Sequence, residues 1–183
     1  MPVHLFENLQ YLINGTSRQQ AAYHLLSKHK LMETLQAFDP VLAGTIPINI
    51  DIENSDLDII CCFTDKYNFK MVATKAFGGF EDFELADTLI NGQETVIINF
   101  IIEGWPVEVF GQYVPSRQQY AYRHMLMEHQ LLQHYGEAFR QQIITLKKQG
   151  YKTEPAFAKA LGLSGNPYQA LLNPELLSGL KTK

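Results

Sequence analysis

The sequence has 183 residues and a mass of 20.9 kDa, a length that suits one domain with room for a small helical addition. It is 46% hydrophobic and 19% charged, which excludes a mostly disordered or low-complexity chain. Its formal net charge is −4, whereas a general nucleic-acid binder is normally basic, so any nucleic-acid contact must be a local patch.

Two adjacent cysteines, Cys61 and Cys62, lie within an apolar run. Neighbouring cysteines rarely satisfy disulfide geometry, so we expect buried thiols and a reducing, cytoplasmic location. The first residues lack the basic-then-apolar pattern of a signal peptide. The most apolar region, 96–110, is interrupted by polar residues and a proline, so no membrane span is predicted.

The N-terminal part of the sequence predicts helices. We expect a short helix within residues 1–20 and a longer one over 18–38, where apolar residues recur at helical spacing. Ser17 is the predicted cap of the longer helix. Asp39-Pro40 is predicted to end it, since the residue before a proline avoids helical geometry.

The middle of the sequence predicts strands. The expected elements are a short strand after residue 40, a strand over 56–63, a helix over 67–77, a strand over 95–102 and a strand over 106–110. Gly78 is the expected C-cap of the helix. Asn91-Gly92, just before the strand over 95–102, is typical of a hairpin turn.

From Ser116 onward the spacing of apolar residues becomes helical. Gly136 is predicted to interrupt a long first helix, Thr153 to cap the next one, and two short helical pieces are expected near the end. We therefore expect an α/β (α+β) fold. A small mixed sheet with flanking helices is expected over 1–114, and a C-terminal helical segment over 115–183 is expected to pack on it.

Two aspartates stand at the head of the predicted strand over 56–63. Asp56 and Asp58 are two residues apart, so both carboxylates point to the same face of that strand. Like charges held together are costly unless a cation lies between them, and Mg²⁺ or Mn²⁺ takes oxygen ligands. We therefore favour metal binding over the alternative that this pair is only a polar strand end on the surface.

A third acid, Glu108, lies between two valines on the last predicted strand, where an unpaired carboxylate is costly to bury. If that strand lies beside the Asp56 strand, three carboxylates could hold two metals, the arrangement used for in-line phosphoryl transfer. A salt bridge to an arginine would satisfy Glu108 equally well, and this alternative stays open.

Gly44 and Thr45 precede the acids. A glycine lets the backbone approach a phosphate closely, and its amide and the threonine hydroxyl can donate hydrogen bonds to phosphate oxygens. Isoleucines alternate with polar residues over 46–52, so this segment could also be a hairpin strand. A calcium loop is excluded, because its sixth position is Asp56 rather than glycine.

These residues together carry a resemblance. Gly-Thr, then Asp-Leu-Asp, then a strand carboxylate resembles the pattern of the nucleotidyltransferase superfamily, the polymerase-beta-like group. The chain as a whole resembles a narrower bacterial family of unknown function placed in that superfamily. The stretches that carry it are 43–59, 106–112, 122–125 and 152–158, and the first is also similar to the GrpB-like branch. The resemblance implies a nucleotidyltransferase-like fold.

The resemblance also implies roles for the residues that match. Asp56 and Asp58 correspond to the metal-binding pair, Gly44 and Thr45 to the nucleotide-phosphate contact, and Glu108 to the third acid, which is usually Asp in the superfamily. The implied reaction is Mg²⁺-dependent transfer of a nucleoside monophosphate from a nucleoside triphosphate to an unknown acceptor.

The C-terminal region offers further candidates. Arg123 suits phosphate binding, since a guanidinium matches phosphate geometry, although a structural salt bridge is equally expected. His124 and Glu128 are four residues apart on one helix, where we expect an ordinary hydrogen bond rather than a second metal site. Lys152 could reach a triphosphate, but we prefer a helix cap at this point.

Two other functions stay open. Glu108 in place of Asp is consistent with a catalytically degenerate nucleotide-binding or regulatory module, and the long C-terminal helix with a partner-binding module. The acceptor could be a small molecule, a protein side chain or an RNA end. The acidic charge balance argues mildly against nucleic acid without excluding it, and no membrane partner is expected.

Overall fold

The computed structural model describes residues 5–178. The helices in this range are α1 Gln10–Ile13, α2 Ser17–Lys28, α3 Leu31–Thr34, α4 Lys66–Phe77, α5 Tyr120–Tyr135, α6 Glu137–Lys148, α7 Thr153–Leu161, α8 Pro167–Leu171 and α9 Glu175–Ser178. The strands are β1 Val41–Ala43, β2 Leu57–Cys62, β3 Glu81–Ile90, β4 Gln93–Ile102 and β5 Trp105–Gln112. Two 3₁₀ turns, Gln36–Phe38 and Ser116–Gln118, complete the helical elements of this part of the chain.

The five strands form one sheet in the order β1-β2-β5-β4-β3. β2 pairs with β5 in parallel, and the other three pairings are antiparallel. The expected small mixed sheet with flanking helices is therefore confirmed. β5 is the middle strand, and its parallel neighbour β2 contains Asp58 and directly follows Asp56.

The sheet lies between two helical layers. Leu57 and Ile59 of β2 pack with α2, α3 and α4 on one face of the sheet. Val41 of β1 and Ile60 of β2 pack with α5, α6, α7 and α8 on the other. Since successive side chains of a strand point to opposite faces, the short strand β2 contributes side chains to both apolar cores.

The prediction of one helix over 18–38 is wrong. The helical region does end before Pro40, but Lys30 adopts a left-handed conformation with φ 52° and separates α2 from α3. Leu31 and Leu35, which follow the break, are both fully buried in the core cluster of α2, α3 and α4. Burial of these two leucines accounts for the break, since no helix-breaking glycine or proline occurs at this point of the sequence.

The predicted cap of α2 is wrong by one residue. Thr16, not Ser17, is the N-cap, and its side chain and that of Gln19 form a reciprocal capping box. The Gln19 amide also donates to the carbonyl oxygens of Ile46 and Pro47, at 2.8 and 3.2 Å. The start of α2 therefore holds the loop that leads to the aspartates.

The C-terminal helices follow the predicted order. Gly136, with φ 77°, separates α5 from α6 as expected. The prediction of Thr153 as a cap is wrong, because Lys152 is the N-cap residue and makes no side-chain capping bond.

None of the described helices has both the length and the apolarity that a membrane crossing requires. The predicted boundaries at 1–114 and 115–183 include residues 1–4 and 179–183, which lie outside the described residues.

Three other details differ from the sequence-based expectations or refine them. β3 was not predicted, since most of its side chains are exposed and give no clear alternation. Residues 46–49 form turns and 50–52 have no regular structure, so this segment is not a hairpin strand, although three of its isoleucines are buried. Both cysteines are free, with Cys61 buried as expected and Cys62 half-buried.

Gly111 on β5 provides a test of the core packing. A Cβ added there would lie 2.6 Å from Cε1 of Phe69, so Gly111→Ala is expected to destabilise the fold by about 1–3 kcal/mol through overpacking. Urea denaturation measures this change in the free energy of unfolding. Gly79→Ala is the matched control, because no atom lies within 4 Å of its added Cβ, and it should change stability by less than about 0.5 kcal/mol. Equal stability of the two variants would contradict this packing.

Candidate active site

The parallel pairing of β2 and β5 brings two of the predicted acids together. Asp58 and Glu108 are register partners on adjacent strands, and Asp56 immediately precedes β2. All three line one cavity of about 600 Å³, a size typical of small-molecule sites. The Glu108 strand therefore lies beside the Asp58 strand, which is the condition under which the three carboxylates could share a site.

Burial and neighbouring negative charge raise the pKa values of two of these acids, Asp58 and Glu108. Burial and the charges of Asp56 and Glu108 raise the pKa of Asp58 well above its ordinary value. Burial and the charge of Asp56 also raise the pKa of Glu108. No salt bridge to an arginine joins Glu108 among the ion pairs of the described residues. The arrangement therefore concentrates negative charge that a bound cation would offset.

The backbone at Gly44 lies directly against the side chain of Asp58. Its φ of +76° lies in the left-handed region, and a Cβ added there would lie 1.9 Å from Oδ2 of Asp58. Thr45 lines the same cavity, and its hydroxyl donates to Oγ of Ser55 at 3.3 Å. The structure therefore brings Gly44 and Thr45 together with the predicted acids.

Side chains from distant helices hold the loop that connects Gly44 to Asp56. Arg18 of α2 donates to the carbonyl oxygen of Ser55 at 3.3 Å, and its guanidinium lies 3.7 Å from the ring centroid of Trp105. Arg140 of α6 donates to the carbonyl oxygen of Ile48 at 2.6 Å. Together with Gln19, these contacts fix the loop between the two helical layers.

The helices opposite the sheet add charged residues that sequence analysis did not place in the site. Lys147 of α6 and Glu128 of α5 line the cavity and are only 7% and 4% exposed. Lys147 follows Ile143 by four residues, and Glu128 lies between Met125 and Leu132 on the same helical stripe. A charged residue on an otherwise apolar stripe is the signal that could have identified both.

Lys147 is a buried cation among carboxylates. Burial lowers its pKa, and the charges of Glu128, Asp51, Asp58 and Asp56 act in the opposite direction. Lys147 does not appear in any ion pair of the described residues. The cavity therefore contains a lysine, on the side that faces the sheet acids, with no carboxylate at salt-bridge distance in the described part of the chain.

His124 and Glu128 do not pair, so the expected helix hydrogen bond is wrong. One ring nitrogen of His124 lies 2.8 Å from the carbonyl oxygen of Tyr168, and the other lies 3.5 Å from Oε1 of Glu154. Oε1 of Glu128 is buried and has no hydrogen-bond partner within residues 5–178. Burial raises the pKa of Glu128 to about 8, and the nearby charge of Glu154 adds to the shift.

Arg123 lies apart from these residues. It is exposed on α5, with its guanidinium 5.5 Å from the ring centroid of Tyr120. The residues that line the cavity do not include it. The structure therefore brings five of the six predicted site residues together and leaves Arg123 on the outer surface of the helix.

The carboxylates fit a divalent cation by their chemistry. Within residues 5–178, no group of three or more His, Cys, Asp or Glu side chains is close enough to form a complete metal site. Asp56, Asp58 and Glu108 nevertheless provide oxygen ligands, and burial together with the charges of the other two acids raises the pKa of Asp58. Hard cations such as Mg²⁺ prefer this donor set.

The raised pKa of Glu128 predicts a pH dependence of stability. Between its ordinary value of 4.5 and its folded value of about 8, the folded protein holds a proton that the unfolded chain has lost. Unfolding then releases that proton, so stability falls as the pH rises through this window. Glu128→Gln should reduce this slope by up to about 1.4 kcal/mol per pH unit. Urea denaturation between pH 5 and 8 measures it.

Glu33→Gln is the control for this measurement, because Glu33 is exposed on α3 and does not line the cavity. Its slope should match that of the wild type, where Asp58 and Glu108 contribute in the same direction because their pKa values are also raised. An unchanged slope in Glu128→Gln would show that Glu128 titrates normally in the folded protein.

Comparison with solved structures identifies the fold. The Cid1 poly(U) polymerase with MgGTP bound is 12% identical with a TM-score of 0.53, over 79% of this chain and 47% of that one. The GLD-2/RNP-8 complex is 14% identical with a TM-score of 0.53, over 84% and 61%. The polymerase core of TRAMP, an RNA surveillance complex, is 11% identical with a TM-score of 0.50, over 94% and 56%.

Cid1 and the TRAMP core are named as polymerases, and Cid1 also as having RNA terminal uridylyl transferase activity; at such identities the likeness shows the fold alone. The nucleotidyltransferase-like fold implied by the sequence resemblance is confirmed. The chain matches about half the length of these neighbours. A search of the curated proteins finds no match. The family model described as Domain of unknown function (DUF4269) matches residues 24–174, and the chain therefore belongs to this family.

Proposed function

We propose that this protein is a metal-dependent nucleotidyltransferase that transfers a nucleoside monophosphate from a nucleoside triphosphate to an acceptor. The observation that carries the proposal is the register pairing of Asp58 with Glu108 inside a cavity that also contains the Gly44 backbone. Convergent carboxylates beside an open backbone segment suit a metal–triphosphate complex. The presence of MgGTP in the Cid1 structure is consistent with this assignment.

The sheet side of the cavity would hold the metal. Asp56, Asp58 and Glu108 are the residues that we assign to Mg²⁺ or Mn²⁺. A divalent cation at this position supplies charge neutralisation for the triphosphate and for the leaving group. The Gly44 amide and the Thr45 hydroxyl would donate hydrogen bonds to the β- and γ-phosphates.

Lys147 is the cation that we assign to the triphosphate, in preference to the exposed Arg123. It is buried, lines the cavity opposite the sheet and has no carboxylate partner at salt-bridge distance within the described range. An anion beside Lys147 would stabilise its charged form, which burial disfavours. Ammonium groups are common phosphate binders in this type of chemistry.

The transfer itself depends mainly on positioning and electrostatics. The acceptor hydroxyl oxygen forms a bond to the α-phosphorus, and the bond from that phosphorus to the bridging oxygen breaks. Pyrophosphate leaves with the electron pair of the broken bond. Glu108 would orient the acceptor hydroxyl and accept its proton. Its side chain is one methylene longer than the usual Asp, so turnover is the property most sensitive to this residue.

Thermal unfolding with Mg²⁺ or Mn²⁺ and each of ATP, GTP, CTP and UTP tests the proposal. A nucleotide present at a hundred times its dissociation constant should stabilise the fold by about 2.7 kcal/mol, or roughly 5–10 °C in Tm. The shift should require the metal and should disappear in the Asp56→Asn, Asp58→Asn double variant. In the absence of ligand, that variant should be at least as stable as the wild type, because it removes charge repulsion.

Glu33→Gln, outside the cavity, should retain the full nucleotide shift. No metal-dependent shift with any of the four nucleotides would contradict the proposal. A shift without pyrophosphate release in the presence of any acceptor would instead support the degenerate nucleotide-binding module that Glu108 in place of Asp suggests.

Lys147→Met provides an independent test of the triphosphate assignment. Loss of a charge-assisted contact worth about 1.5–3 kcal/mol should weaken nucleotide binding by roughly ten- to a hundredfold. The fold should remain stable, because a buried ammonium is replaced by an apolar side chain of similar length. Lys148→Met, at the adjacent exposed position, is the matched control. Equal nucleotide dissociation constants for the two variants would rule out this role for Lys147.

A further inference from the structure

A second pair of acids lines the cavity on the side opposite the sheet. Glu128 belongs to α5 and Glu154 to α7, and His124 lies beside Glu154 at 3.5 Å. We refer to these three residues as the helical wall. The proposed metal and triphosphate contacts do not use any of them, so their function requires a separate explanation.

Glu128 is the most unusual member of the helical wall. The residue is 4% exposed, yet it lines the cavity, and its Oε1 has no hydrogen-bond partner among the described residues. Burial of a polar atom without a partner costs about 1–3 kcal/mol. Neighbouring Lys147 does not form an ion pair with it. An unused acceptor at the edge of a cavity indicates a donor group on a bound molecule.

The charged residues that line the cavity indicate the sign of the charge on that donor group. Five carboxylates line it. They are Asp56, Asp58, Glu108, Glu128 and Glu154. Among the described residues, Lys147 is the one lysine in the lining, and no arginine lines it. After the sheet acids are assigned to metal and the lysine to phosphate, Glu154 has His124 as a neighbour at 3.5 Å, whereas Glu128 has no partner at salt-bridge distance among the described residues. The charge of Glu154 also disfavours ionisation of Glu128, so a cation between them would relieve the repulsion.

We propose that the helical wall binds the acceptor, and that the acceptor is a small molecule carrying a primary ammonium group and a hydroxyl. This inference rests on the nucleotidyl transfer proposed above. The ammonium has three donors for Glu128 and Glu154, and the hydroxyl oxygen then forms the new bond to the α-phosphorus as pyrophosphate leaves. An RNA end is disfavoured as acceptor, because its phosphates would face the acids of the wall.

Calorimetric titration of amines tests the proposal. The probes are ethanolamine, glucosamine and tyramine, each compared with its N-acetyl derivative, which keeps the hydroxyl and loses the charge. They are titrated into the full chain with and without Mg²⁺ and a non-hydrolysable nucleoside triphosphate. At least one amine should bind ten times more tightly than its N-acetyl derivative. This preference should fall below twofold in Glu128→Gln and persist in Glu33→Gln.

Glu154→Gln is the second variant, so that the test does not depend on the folding of Glu128→Gln alone, and circular dichroism checks both. Nucleotide binding without any ammonium preference would overturn this inference and leave the proposed function intact. An ammonium preference without metal-dependent nucleotide binding would keep the cation site and reject the proposed function. A preference that survives in both glutamine variants would also overturn the inference, as would an oligoribonucleotide that binds more tightly than every amine.

Discussion

The parallel pairing of β2 with β5 is the constraint on which the site depends. It places Asp58 directly opposite Glu108, while Leu57 and Val107, one position earlier on each strand, point into the core on the other face. The acids cannot move apart unless the strands lose their register and expose that core. Without a bound cation, burial and the charges of Asp56 and Glu108 therefore raise the pKa of Asp58, and a cation bound between these acids would offset their repulsion.

The layer that completes the second apolar core also completes the cavity. α5, α6 and α7 pack on the face of the sheet that carries the acids, so the cavity has a strand side and a helical side. Asp58 belongs to the first side, and Lys147 and Glu128 belong to the second. Under the proposed function, the strand acids would hold the metal, Lys147 of the helical side would contact the triphosphate, and Glu128 and Glu154 would contact the acceptor. Contacts from Arg18 and Arg140 hold the connecting loop in place between them.

Much of this arrangement could be predicted from sequence, because the signals were local. Apolar strand runs predicted the mixed sheet, and Asp-Leu-Asp spacing placed Asp56 and Asp58 at one edge. The left-handed Lys30 could not be predicted, since packing of the leucines that follow imposes it. Lys147 was missed because a lysine near a helix end is usually solvated, and only tertiary contacts bury it. A bacterial origin, a similarity to the GrpB-like branch and a cytoplasmic location remain predictions.

The shared strand β2 also has a consequence for cooperativity. Ile59 belongs to one apolar core and Ile60 to the other, so neither helical layer can detach without exposing a face of the same six-residue strand. The chain is therefore expected to open as one unit rather than layer by layer. A ligand that contacts both Asp58 and Lys147 would couple the two layers further, and amide hydrogens in α2 and in α6 would then exchange more slowly together.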